Sequence, residues 1–270
     1  MPELPEVETT RKGILPFVDK QTVAKIIIRQ PKLRWEVPDA IHDMEGEIIQ
    51  SVTRRGKYIL LETSKGTALI HLGMSGSLRV LDVGVAAEKH DHVDFEFSNK
   101  KLIRLRDPRR FGAVLWATKN PLKHKLIRSL GPEPLGDDFN TDYLFLASRG
   151  RKVSIKQFIM NGHVVVGVGN IYACESLFKA GIFPKALAGK VSKKRYEKLV
   201  EVIKEVLARA IEQGGTTLKD FVQVEGNPGY FQQELNVYGR AGEACLVCES
   251  SIKQIKQGQR STFYCSKCQK

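Results

Sequence analysis

The chain has 270 residues, a hydrophobic content of 42% and a formal net charge of +13. That length holds one large domain or two modest ones, each with its own core. No run approaches the roughly 18 apolar residues of a membrane span. The acidic, proline-bearing start Met1-Pro2-Glu3-Leu4-Pro5-Glu6 also lacks the basic head and apolar run of a secretory signal. A balance this basic suits a polyanionic partner, with nucleic acid the first candidate.

In chain order, residues 5–15 read as a helix, with Pro5 in its first turn and Glu6 and Glu8 at the positive end of the dipole. Strand-like runs follow at 23–29, 48–53, 58–62, 68–72, 78–81, 93–97, 101–105 and 113–116. Their spacing of about ten residues predicts a β-sandwich or barrel-like half. The pattern changes near Asn120. Gly131-Pro132-Glu133-Pro134-Leu135-Gly136 reads as a linker. Beyond it the period is helical, at 142–148, 154–160, 171–180 and 193–213. Ser192 is placed to cap the last helix and Gly214-Gly215 to stop it.

The tail carries chemistry. Cys245-x2-Cys248 and Cys265-x2-Cys268 are separated by sixteen residues. Two such turns facing each other offer four thiolates in a tetrahedron, which zinc prefers. A closed four-thiolate site leaves no position for water, so one structural zinc ion is expected. Residues 251–264 between the pairs predict a hairpin turning at Gln257-Gly258-Gln259, with Arg260 near its tip. The fifth cysteine, Cys174, sits in a helical run and reads as a buried thiol.

Pro2 follows the initiator methionine, and removal of Met1 would expose a prolyl secondary amine beside Glu3 and Glu6. An α-amine, with a pKa of roughly 7.7–8.0, is about a tenth unprotonated at pH 7, against well under a thousandth for lysine at about 10.4. A secondary amine adding to an aldehyde-level sugar carbon gives an iminium that is cationic without further protonation, an electron sink for later elimination. Alone, the segment reads better as a simple lead-in to a helix than as a nucleophile.

Together these segments resemble the formamidopyrimidine-DNA glycosylase family, also called the MutM proteins. The motifs that carry the resemblance are Met1-Pro2-Glu3-Leu4-Pro5-Glu6-Val7-Glu8-Thr9, His71-Leu72-Gly73-Met74-Ser75-Gly76, Glu88-Lys89-His90-Asp91-His92 and Asp107-Pro108-Arg109-Arg110-Phe111-Gly112. Val166-Gly167-Val168-Gly169-Asn170-Ile171-Tyr172-Ala173 and Glu234-Leu235-Asn236-Val237-Tyr238-Gly239 extend it to the tail. The resemblance implies an α+β multidomain fold. Residues 1–130 would form an N-terminal β-sandwich with flanking helices, 131–236 a helical domain with a helix-two-turn-helix, and 237–270 the zinc finger.

It also implies a cytoplasmic, nucleoid-associated monomer of bacterial type that acts on double-stranded DNA carrying oxidised purines. Such an enzyme releases 8-oxoguanine and ring-opened purines and then cleaves the abasic strand by β- and δ-elimination. By the same matching Pro2 is the nucleophile, Glu3 the acid/base at the sugar, Lys57 acts in the elimination steps, and Arg260 assists δ-elimination. Met74, Arg109 and Phe111 resemble the residues that fill the void left by an everted base. His71, His90, Arg151, Lys156, Asn170 and Tyr238 complete the expected DNA contacts.

One string departs from the family pattern. In Met160-Asn161-Gly162-His163 an Asn-Gly turn stands where an acid and an amide are usual, which makes His163 an exposed turn residue. The 216–230 loop is expected to cover the everted lesion. Two other readings share most of these residues: an endonuclease VIII-type enzyme for oxidised pyrimidines, and a zinc-finger DNA-binding protein that has lost catalysis.

Overall fold

The computed structural model describes residues 2–118, 120–215 and 234–270. The expected lesion-covering loop at 216–230 lies outside the described residues. The chain divides into two compact units, Met1–Ser129 with Gln213–Gln232 and Leu130–Glu212 with Gln233–Lys270.

The first unit opens with helix α1 (Leu4–Val18), whose Glu6 carboxylate accepts the Glu3 backbone N–H at 2.9 Å. The helix runs past the expected end at residue 15. Pro16 lies inside its last turn, and the Asp19 N–H closes onto the Leu15 carbonyl. Eight strands follow: β1 (Val23–Ile28), β2 (Ser51–Arg55), β3 (Tyr58–Glu62), β4 (Thr67–His71), β5 (Ser77–Asp82), β6 (Asp91–Phe97), β7 (Lys101–Arg106) and β8 (Ala113–Ala117).

They form two four-stranded antiparallel sheets, ordered β1-β6-β7-β5 and β2-β3-β4-β8. Alternating apolar residues from both sheets, among them Ile59, Ile70, Phe95 and Ile103, join Val7, Ile14 and Val18 of α1 in one core. The strand expected at 48–53 is displaced to Ser51–Arg55. Ile48 makes only an isolated bridge to Thr22, and the backbone of Ile49 is taken up by Lys20 and Gln21. A 3-10 turn at Asp39–Met44, absent from the sequence reading, buries Ile41 and Met44 under the core.

A charged cluster secures one sheet. Arg104, 2% exposed, forks onto both oxygens of buried Asp94 at 2.8 Å and donates to the Val85 and Ala86 carbonyls. Burial pushes the Asp94 carboxyl up, but the bonds from Arg104 and Arg29 outweigh it and hold the pKa below its ordinary value. The guanidinium thereby pins the loop that leads to His90.

The second unit contains α2 (Thr141–Ser148), α3 (Ile155–Ile159), α4 (Asn170–Lys179) and α5 (Lys193–Glu212). Asn140, Ser154 and Ser192 each accept a backbone N–H from the first turn of the helix they precede. In α5 the buried stripe Tyr196, Leu199, Val200, Ile203, Val206, Leu207 and Ala210 keeps a 3.6-residue period, and α5 packs on α2 and α4. The expected linker at 131–136 is packed. A Cβ on buried Gly131 would meet the Val164 backbone at 2.6 Å, so only glycine allows this approach.

The hairpin β9 (Lys253–Gln257) and β10 (Arg260–Tyr264) turns through Gly258 and Gln259, both at positive φ. Cys174, Phe178, Val237, Ile252 and Phe263 make a small core with the cysteines, so the finger shares its interior with α4.

Candidate active site and nucleic-acid interface

In the first unit Pro2 and Glu3 are buried at the start of α1, with Glu3 2% and Glu6 3% exposed. Gly215 packs beside them. Its φ is +80°, and a Cβ there would lie 3.0 Å from Glu6 Oε1. Lys57 follows Gly56 (φ +58°) in the tight turn between β2 and β3. Arg54 braces that turn, donating to the Gly56 carbonyl at 2.8 Å and to Glu8 of α1 at 3.0 Å. The turn carrying Lys57 is therefore fixed to the helix that Pro2 and Glu3 lead into.

His71 lies across the ladder from Tyr58, with ring centroids 4.9 Å apart, and its Nδ1 accepts the Gly73 N–H at 2.9 Å. Burial, then the charges of Lys57 and Arg34, lower its pKa to about 4, so the ring is neutral at pH 7. Arg34, outside every motif named above, contributes to the charge around His71. It is exposed, stacked 4.6 Å over Trp35, and its N–H is held by the Gly112 carbonyl at 3.1 Å.

The loops carrying Met74 and Phe111 are joined. A Cβ on Gly73 would sit 2.4 Å from Phe111 C and Gly112 N, and one on Gly112 2.8 Å from the His71 carbonyl. Between them lies Asp107, fully buried. Its Oδ1 accepts the Ser75 hydroxyl at 2.9 Å and its Oδ2 the Gly112 N–H at 2.7 Å. His92 Nε2 meets its carbonyl at 2.8 Å, and its own N–H bonds the His90 carbonyl.

Above this carboxylate Phe111 is 42% exposed, with the Arg109 guanidinium 4.9 Å from its ring. Met74, Arg109 and Phe111 thus stand on one support. Asp107→Ala strips acceptors from both loops. It is expected to lower unfolding free energy by about 3 kcal/mol in urea melts, the range for losing charged hydrogen bonds in a buried site.

In the second unit Arg260 is exposed at the first position of β10. It borders a cleft of about 180 Å³ also lined by Gln157, Met160, Asn161 and Gln257. Asn161 spends its side chain on its own turn, accepting the His163 N–H at 3.0 Å, and His163 is exposed as expected.

Asn170 opens α4. Its amide donates to the Ser261 carbonyl at 2.9 Å and meets the Tyr238 hydroxyl at 3.5 Å. Lys156, 1% exposed, directs its ammonium to Asn170 Oδ1 at 2.5 Å, Thr262 Oγ1 at 2.7 Å and the Ser261 carbonyl at 3.2 Å. Rather than facing solvent as an open phosphate donor, it orients Asn170 against β10. Arg151 is exposed on the loop after α2.

The four finger thiols converge. Cys245 Sγ lies 3.9 Å from Cys268 Sγ, Cys248 Sγ lies 3.4 Å from Cys265 Sγ, and all four are within 4.8 Å of one another. Zinc–sulfur bonds of about 2.3 Å in a tetrahedron place sulfurs roughly 3.8 Å apart, so the set fits one structural zinc. Among the described residues no other cluster of this kind occurs.

A basic two-unit chain with buried N-terminal carboxylates, an exposed aromatic beside an arginine, and a hairpin closed by four thiols fitted to zinc has the character of a DNA-binding protein. Residues 1–114 match the formamidopyrimidine-DNA glycosylase N-terminal domain, 130–222 its H2TH domain, and 242–270 a zinc finger found in FPG and IleRS. Proteins named formamidopyrimidine-DNA glycosylase from Idiomarina loihiensis and a Marinomonas species are 57% and 58% identical, over the whole of both chains.

Among solved structures, the MutM (FPG) protein of Thermus thermophilus is 33% identical with a TM-score of 0.90, covering 99% of this chain and 98% of that one. The Lactococcus lactis Fpg bound to DNA containing an abasic site is 31% identical at 0.91, covering 99% of each chain. The chain belongs to the formamidopyrimidine-DNA glycosylase family.

Proposed function

We propose that this chain excises oxidised purines from double-stranded DNA and then cuts the abasic strand, working as a monomer in the cytoplasm. The observation that carries the reading is the burial of Pro2 and Glu3 together at the start of α1, in a chain that matches its relatives end to end. After loss of Met1 the Pro2 nitrogen attacks C1′, the bond from C1′ to the base breaks as the base leaves, and the nitrogen gives up its proton; the C1′–O4′ bond then breaks, O4′ takes a proton and the nitrogen lone pair closes the iminium. Glu3 exchanges the proton at the sugar that opens the ring. Lys57, on its braced turn, serves the elimination steps, and Arg260 serves δ-elimination.

An enzyme acting on a base must take it out of the stack. Met74 and Phe111 supply apolar wedges for the void, and Arg109 supplies a forked donor for the orphaned cytosine. His71, His90, Arg151, Asn170 and Tyr238 hold phosphates, and Lys156 reaches them through Asn170. The zinc keeps the hairpin that presents Arg260 in shape.

A panel of duplexes tests the substrate class. The chain is expected to release 8-oxoguanine opposite cytosine at least a hundredfold faster than thymine glycol. The reverse order would assign it to the oxidised-pyrimidine reading instead.

A further inference from the structure

We infer that Glu175 is a positioning residue for the DNA grip of the second unit, an inference that rests on the DNA-binding reading above. Glu175 lies on α4, five residues after Asn170, and is 1% exposed. Its carboxylate gathers four amide donors. Oε1 accepts the Val237 N–H at 3.0 Å and the Tyr238 N–H at 2.9 Å, while Oε2 accepts the Asn236 N–H at 2.8 Å and the Asn236 side-chain amide at 3.0 Å. Three successive backbone amides aimed at one anion form a nest, here filled by a side chain of the protein itself.

What this holds is the strap entering the finger. Tyr238 on that strap has its hydroxyl 3.5 Å from the Asn170 amide and its ring 5.0 Å from Phe263 of β10, the strand that begins with Arg260. Asn170 is fixed to α4 by the chain, and Tyr238 is fixed to the same helix by Glu175. Two candidate phosphate contacts and the strand bearing a third therefore share one frame of reference. A carboxylate suits this place because it has acceptors only. A glutamine of the same shape would turn an NH2 toward backbone N–H groups.

The test uses the full-length, zinc-loaded chain with Glu175→Gln. The readouts are Kd for an 8-oxoguanine–cytosine duplex across a salt series and the single-turnover rate of 8-oxoguanine release at saturating DNA, a step that does not use Arg260. Kd is expected to rise at least tenfold. The slope of log affinity against log salt should flatten by about one as the charged Arg260 at the head of β10 loses its phosphate, since neutral Asn170 and Tyr238 release no counterions. The single-turnover rate should stay within about twofold of the parent.

Tyr238→Phe should weaken binding several-fold in the parent but less than twofold in the Glu175→Gln chain, since coupled residues do not add. Parental Kd and slope in Glu175→Gln, or full additivity with Tyr238→Phe, would overturn the inference. If Glu175→Gln fails to keep its zinc, Glu175→Asp decides. An intermediate Kd with a flatter slope supports the inference, and parental values overturn it. A parent chain that does not bind the duplex would instead overturn the DNA reading itself.

Discussion

Borohydride added while the mature chain works on an 8-oxoguanine–cytosine duplex is expected to leave a covalent protein–DNA adduct. A chain that retains Met1 should give at least a thousandfold less. Retention acylates the Pro2 nitrogen, converting a nucleophilic secondary amine into a peptide nitrogen without a free lone pair. It also moves the terminal amine about 3.8 Å along the chain, one Cα spacing.

A thousandfold corresponds to about 4 kcal/mol of barrier. That is the scale expected when the one amine able to form an iminium in place is removed. Because Pro2 is buried against the start of α1, a flexible replacement terminus does not recover the geometry. An adduct of parental yield from the Met1-retaining chain would overturn the Pro2 assignment and transfer the chemistry to a lysine, with Lys57 the first to be replaced.

Removing the metal should have the second largest effect. With Cys248→Ser, or after exhaustive chelation, zinc content is expected to fall below one ion per chain and duplex Kd to rise at least a hundredfold. Small zinc-held hairpins have too little apolar interior to fold alone and draw their folding energy from the metal.

Here the interior is Ile252, Phe263 and Val237 against Cys174 and Phe178 of α4. Loss of the hairpin also takes Ser261 and Thr262 away from buried Lys156. That leaves an ammonium in the interior with part of its acceptors gone, a costly state. Asn170, oriented by the same lysine, would lose its reference. A metal-free chain that keeps the parental Kd would show that the finger is dispensable to the grip.

Much of this was legible in the sequence because it is written in side chains close together in the chain. The strand-like runs recurring about every ten residues marked the strands of both sheets, and β3 at Tyr58–Glu62 fell where expected. The paired Cys-x2-Cys marked the metal site, and the small, polar Gln257-Gly258-Gln259 marked the hairpin tip.

What was missed has partners that leave no side-chain pattern. Asp107 and Glu175 act on backbone amides, the latter 61 to 63 residues away. No periodicity records such bonds, although Asp107 heads a motif string and Glu175 falls in the expected helix at 171–180. The extension of α1 through Pro16 was hidden for a related reason, since a proline near the end of a helix forfeits one bond and need not stop the last turn. Lys156 enters the expected DNA contacts only through the family resemblance. Its burial depends on β10, more than a hundred residues downstream.

Asp107 has a consequence for how damage would be found. One carboxylate secures the loops of Met74 and Phe111, and two glycines let their backbones touch, so the proposed wedge has little freedom to soften against the duplex. The compliance during scanning must then come from the DNA. Steps that unstack cheaply yield to the probe and stiff ones reject it. On this account the enzyme first senses a lesion as a local weakness of the double helix, before any group on the oxidised base is read.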